Sequence, residues 1–139
     1  MIQIGKVVGD GRADLTIRKP FQQLKNLLVT RTNKTYSESL DNFMIVFCLA
    51  GEAKDFKFEG FDRLRINRKK KEIWIDYGVK KGFFQDKNET YIKDYLINVV
   101  HQALEFFFQR LEKEKIDFNR DDLLNDFQTV SELFLNESG

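Results

Sequence analysis

The sequence predicts an α+β fold: an antiparallel sheet of about five strands, made of an N-terminal hairpin and a three-strand meander, packed against one long helix, with a second C-terminal helix. Three observations lead there. Short apolar stretches, several alternating with period two, occupy most of residues 2 to 79, and a single stripe with helical period runs from about Glu89 to Lys115. The chain of 139 residues also contains no repeat, Gly/Ser linker or low-complexity tract, so 1–139 reads as one domain. At this length about two thirds of the unfolded surface can be buried. A hydrophobic fraction of 42%, with fourteen Phe, supplies the core.

Taken in order, Ile2 and Ile4, then Ala13, Leu15 and Ile17, alternate around Gly9, Asp10 and Gly11, the pattern of a hairpin. Pro20 suits a first helical turn, and Phe21, Leu24, Leu27 and Leu28 continue a helix near 20 to 30. "TRTNKTYSESLDN" reads as a loop. The run from Phe43 to Ala50 is too short for a buried helix and reads as a central strand closed by Gly51. "DFKFEGFDRLRIN" alternates Phe56 with Phe58 and Leu64 with Ile66, with a break near Gly60, and "KEIWIDYGV" alternates Ile73, Ile75 and Tyr77. Short links predict that these three strands pair antiparallel.

The long helix follows, with Asn88 or Thr90 as its cap. Ile92, Tyr95, Leu96, Val99, Ala103, Phe106 and Phe107 share one face, which Ile97, Val100, Leu104, Phe108 and Leu111 widen beyond half the circumference. So wide an arc needs cover from the sheet and from another helix or a partner. Asn119, with Asp122 at the third position, caps a final helix whose inner stripe is Leu123, Leu124, Phe127, Val130 and Phe134.

Charge is unevenly placed. Net charge is +1, but residues 1–111 carry twenty Lys+Arg against fourteen Asp+Glu, whereas 112–139 carry three against eight. The cations concentrate in "RLRINRKKKEIWIDYGVKK", Arg63 to Lys81, with eight basic residues against two acidic. Arg63, Arg65, Arg68 to Lys71, Lys80, Lys81 and Trp74 could form a small nucleic-acid-binding hairpin. Alternation instead presents most of these cations to water around a turn at Asn67 to Lys70, where they keep the sheet edge soluble. Trp74 faces opposite to Ile73 and Ile75, on the side of Asp76. The carboxylates Glu114, Asp117, Asp121, Asp122 and Asp126 gather near the junction of the last two helices, as a surface for a basic protein would.

Chemistry is sparse. Cys48 lies in an apolar run and reads as a buried, inert thiol. The one histidine, His101, sits at the margin of the apolar arc and reads as a boundary residue rather than a metal ligand or base. Gly9 to Gly11 lacks the further glycines and helix of a phosphate loop, and "DKNET" lacks the glycine and distal glutamate of a calcium loop. No metal or cofactor is implied, and no nucleophile stands in a catalytic elbow. A non-enzymatic protein is expected; an enzyme would need carboxylates in a cleft between sheet and helix. Neither a signal peptide nor the ~20 apolar residues of a membrane helix are present, so a cytoplasmic protein is expected, without membrane contact.

In size and element style, from "FMIVFCLAG" through "KKKEIWIDYG" to "YIKDYLINVVHQALEFFFQRLEKEKIDF", the whole chain resembles the immunity proteins of bacterial contact-dependent growth inhibition and other polymorphic toxin systems. That resemblance implies a small cytoplasmic α+β protein that binds and neutralises one toxin domain. Many such toxins are nucleases with cationic clefts, so the acidic cluster Glu114, Asp117, Asp121, Asp122 and Asp126 is the expected contact.

Overall fold

A computed structural model describes residues 1–9, 15–49, 59–80 and 82–136. Along the chain run β1 (Ile2–Val8), α1 (Arg18–Arg31), β2 (Asn42–Leu49), β3 (Gly60–Asn67), β4 (Glu72–Val79), α2 (Glu89–Lys113) and α3 (Arg120–Asn136). The described strands form a four-stranded sheet in the order β1-β2-β4-β3. β1 is parallel to β2 and β2 to β4, while β3 and β4 pair antiparallel. The expected antiparallel sheet of about five strands is therefore corrected to a four-stranded mixed sheet with three helices.

The first correction concerns the N-terminal hairpin. Residues 10–14, which carry most of its turn and Ala13, lie outside the described residues, but Leu15 to Ile17 turn into α1 instead of forming a second arm. Ile17 shares helical spacing with Phe21, Leu24 and Leu28, and all four are buried. That stripe outweighs the alternation of Leu15 with Ile17. β1 then pairs with β2, and two parallel strands need a crossover, which α1 supplies.

The second correction concerns the meander. β4 inserts between β2 and β3, so β2 and β3 are not neighbours. Apolarity explains the order: β2 and β4 bury Phe43, Ile45, Phe47, Ile73, Ile75 and Val79, whereas β3 exposes Asp62, Arg63 and Arg65 and takes the edge. Ala50 to Phe58 lie outside the described residues. β3 begins at Gly60, φ 81°, and its irregularity is a bulge between Asp62 and Arg65, with Arg63 at φ 57°. The β3–β4 turn follows the expectation: the Lys70 amide donates to Asn67 Oδ1 at 3.0 Å.

Register aligns Ile2, Phe43 and Ile73, then Ile4, Ile45 and Ile75, then Lys6, Phe47 and Tyr77, on one sheet face. The helices lie there. Phe21 of α1 meets Phe47 edge-on at 5.6 Å, Phe107 of α2 meets Phe43 at 6.1 Å, and Tyr95 meets Tyr77 at 6.2 Å. The opposite face aligns Gln3, Met44, Trp74 and Arg65, which places Trp74 away from Ile73 and Ile75 as its parity predicts.

Asn88 caps α2 by accepting the Tyr91 amide at 2.8 Å. The sheet and α3 cover most of its wide arc within the chain: Ile92, Leu96, Val99, Val100, Ala103, Leu104, Phe107, Phe108 and Leu111 are buried, as are Leu123, Phe127, Val130 and Phe134 of α3, whereas Phe106, expected on the covered face, is 42% exposed and Tyr95 is half-buried. The loop after α1 is tied down at its start, where Thr32 Oγ1 accepts the Ile2 amide at 2.8 Å and donates to the Leu28 carbonyl at 2.6 Å. Otherwise the first amide of β1 would be buried without a partner.

Candidate functional site

The acidic junction is built by a tight helix-to-helix reversal. At the end of α2 the Ile116 amide bonds the Leu111 carbonyl at 2.9 Å and the Lys115 amide bonds the Glu112 carbonyl at 3.2 Å, with Lys115 at φ 57°. This is a Schellman closure made with lysine where glycine is usual, and it buries Ile116. Asn119 then caps α3, its Oδ1 accepting the Asp122 amide at 3.0 Å. Asp117, Asp121, Asp122 and Asp126 come to surround this corner.

The segment 34–37 docks against it. The Asn119 amide donates to the Tyr36 carbonyl at 2.7 Å, and Ser37 Oγ donates to the Asp117 carbonyl at 2.8 Å. Lys34 Nζ stands 3.0 Å from Asp122 and 2.9 Å from Asp126, and the buried Tyr36 hydroxyl donates to Asp126 at 2.5 Å. Hydrogen bonds to Asp126 and Asp122 raise the Lys34 pKa. Burial first, and then the bond to Asp126, push the Tyr36 phenol far above its ordinary value. Glu114 faces elsewhere. It accepts from Arg110 Nε and, at 3.4 Å, from Arg68 at the β3–β4 turn, and these bonds, chiefly the Arg110 one, lower its pKa.

The structure thus gathers four of the five expected carboxylates at one corner and turns the fifth, Glu114, toward the basic hairpin. Asp117 and Asp121 are exposed, with no side-chain partner among the described residues. Sequence reasoning missed Lys34, Tyr36 and Ser37 as the residues that hold this corner. A single cation and aromatic in a polar loop carry no periodicity, and only the isolated tyrosine hinted at an anchor.

The basic hairpin is partly neutralised by its own fold. Arg65 lies 3.4 Å from Asp76 and 5.3 Å above the Trp74 ring, Arg68 reaches Glu114, and Lys71 Nζ bonds the Glu38 carbonyl at 3.4 Å. Trp74 Nε1 donates to Glu72 at 2.6 Å. A shallow hollow of about 540 Å³ lies between Trp74 and the turn cations. Lys81 lies outside the described residues. Cys48 is 7% exposed, and burial, then the nearby Asp76, raise its thiol pKa and keep the sulfur protonated at neutral pH. His101 is exposed and stacks on Phe127 at 6.2 Å. Among the described residues no three His, Cys, Asp or Glu side chains converge as a metal ligand set, and no helix is long and apolar enough to cross a membrane.

Comparison with protein families found that the model of immunity protein 44 matches residues 11–132, from before α1 to near the end of α3. The chain belongs to the immunity protein 44 family. It is an immunity protein of polymorphic-toxin type, as its size and element style suggested. Searches of curated proteins and of solved structures found no match.

Proposed function

We propose that this protein acts in the cytoplasm by binding a cognate toxin domain and covering its active site, with the acidic corner between α2 and α3 as part of the contact. Family membership supports toxin neutralisation. The observation that carries the surface is Lys34 and Tyr36 fixing Asp122 and Asp126 in place, beside the exposed Asp117 and Asp121. Preorganised carboxylates lose little freedom on binding a cationic surface, such as a nuclease cleft, and they speed encounter. The nucleic-acid reading draws less support, because membership of an immunity protein family points to a protein partner. An enzymatic cleft draws none from Asp76, the buried carboxylate among the described residues, since Arg65 pairs with it on the sheet face away from the helices.

Charge reversal at the two unpaired acids tests the surface without disturbing the Lys34 cluster. Asp117→Lys with Asp121→Lys is expected to weaken binding of the cognate toxin domain by about tenfold or more, mostly through slower association, and to flatten its salt dependence. The urea midpoint should fall only slightly, through the loss of Asp121 from the first turn of α3. Wild-type affinity in the double variant would remove the acidic corner from the interface.

A further inference from the structure

The solvent side of α2 carries an uncharged pattern that solubility does not explain. Tyr91, Tyr95, Asn98, Gln102, Phe106 and Gln109 follow one another at intervals of three or four residues. At 3.6 residues per turn they stay within an arc of roughly 80° and run for about 27 Å. None is charged, in a chain that is 32% charged. Tyr91 is 44% and Phe106 42% exposed, Asn98, Gln102 and Gln109 are exposed, and Tyr95 is half-buried. The outer face of a surface helix normally holds charged residues. Here Asp94, Glu105 and Glu112 line one side of the stripe, and among the described residues cations stand only at its ends, Lys87 with Nζ 5.3 Å over the Tyr91 ring and Lys113 one turn past Gln109.

The other side is continuous with the sheet edge. Phe61 of β3 packs at 5.1 Å on Phe106 and 4.7 Å on Tyr77, with the exposed Glu59 two residues before it near Tyr95. The aromatic end of the stripe is held rigidly. The Tyr95 and Tyr77 hydroxyls share a hydrogen bond of 2.6 Å, and Phe83 and Phe84 meet the Tyr95 ring at 4.9 and 5.3 Å. Rigid aromatics that offer area at low entropic cost, set among adaptable amides, are the make-up of binding surfaces.

We propose that this uncharged stripe, with Phe61, is the energetic centre of the toxin interface, and that it receives an apolar recess of the toxin domain rimmed by Lys and Arg. The inference rests on the toxin-binding reading above and adds where the affinity resides. Charge complementarity argues for that occupant: Glu59 and Asp94 flank the stripe, and Glu105 and Glu112 share the single guanidinium of Arg120, 3.6 Å from each. A second copy fits badly. Two-fold pairing of the same face would bring acidic margin against acidic margin.

The test uses the whole 139-residue chain and the purified cognate toxin domain, with kinetics read by biolayer interferometry and assembly by sedimentation. Gln102→Arg and Phe106→Ala are each expected to weaken binding at least tenfold, mainly through faster dissociation, while Gln102→Arg keeps the wild-type urea midpoint. If Phe106→Ala lowers that midpoint, Gln102→Arg decides. Unchanged affinity in Gln102→Arg, with tight wild-type binding, overturns the stripe and leaves toxin binding standing. No binding by the wild type overturns both. A wild-type dimer that Gln102→Arg dissociates assigns the stripe to a second copy and likewise overturns the proposal.

Discussion

Phe107→Ala is expected to lower the free energy of unfolding by about 3–5 kcal/mol, a large part of the ~5–15 kcal/mol a domain of this kind possesses. Phe107 is fully buried and its ring stands 6.1 Å from Phe43, at the centre of the contact between α2 and β2. Truncation removes the transfer free energy of the ring and leaves a cavity that two rigid elements cannot close. The preceding residue provides the control. Phe106 is 42% exposed, so Phe106→Ala should cost about 1 kcal/mol or less, most of it from the contact with Phe61. Urea unfolding followed by circular dichroism measures both. Equal losses for the two neighbours would mean that α2 is not oriented as described, and the uncharged stripe would lose its place on the surface.

Tyr36→Ala should cost about 3–5 kcal/mol although the residue lies in a loop. It is 3% exposed, its ring meets Phe43 at 6.4 Å, and its hydroxyl bonds Asp126. Tyr36→Phe keeps the ring and should cost about 1 kcal/mol, the net worth of the lost hydrogen bond, because Lys34 still answers Asp126. The phenol also sets an alkaline limit. Its folded pKa is raised above the unfolded value of 10.0, so its stabilisation is complete below pH 10.0 and is lost as pH climbs beyond it. Tyr95, raised by burial and by its bond to Tyr77, acts in the same direction. Stability should therefore fall above pH 10.0, less steeply in Tyr36→Phe. An identical alkaline profile in that variant would exclude the phenol from the effect.

Much of the fold could be read from residue patterns, and the failures share one cause. Local spacing and capping residues located α2, α3 and the Asn119 cap, and narrowed the α2 cap to Asn88 or Thr90, of which Asn88 is the one that caps. It also placed Trp74 on the face opposite Ile73. Strand order depends on which strands are apolar enough for the interior, a comparison between distant segments. The polarity of "GFDRLRIN" beside "NFMIVFCL" and "EIWIDYGV" contained that information, but short links suggested a meander. Ile17 was ambiguous by two periods at once, and burial with Phe21 and Leu24 resolved it toward the helix. At the acidic corner the carboxylates were visible as a charge excess. Their partners were not, since Lys34 and Tyr36 reach Asp122 and Asp126 across some ninety positions.

The central claim is that this chain neutralises a toxin domain by binding it. Calorimetric titration of a purified cognate toxin domain with this protein tests that claim most directly. The account predicts one-to-one binding with a dissociation constant of about 10 nM or tighter, and loss of toxin activity in step with occupancy. Absence of binding at micromolar concentrations, or a saturated complex in which the toxin remains fully active, would contradict it.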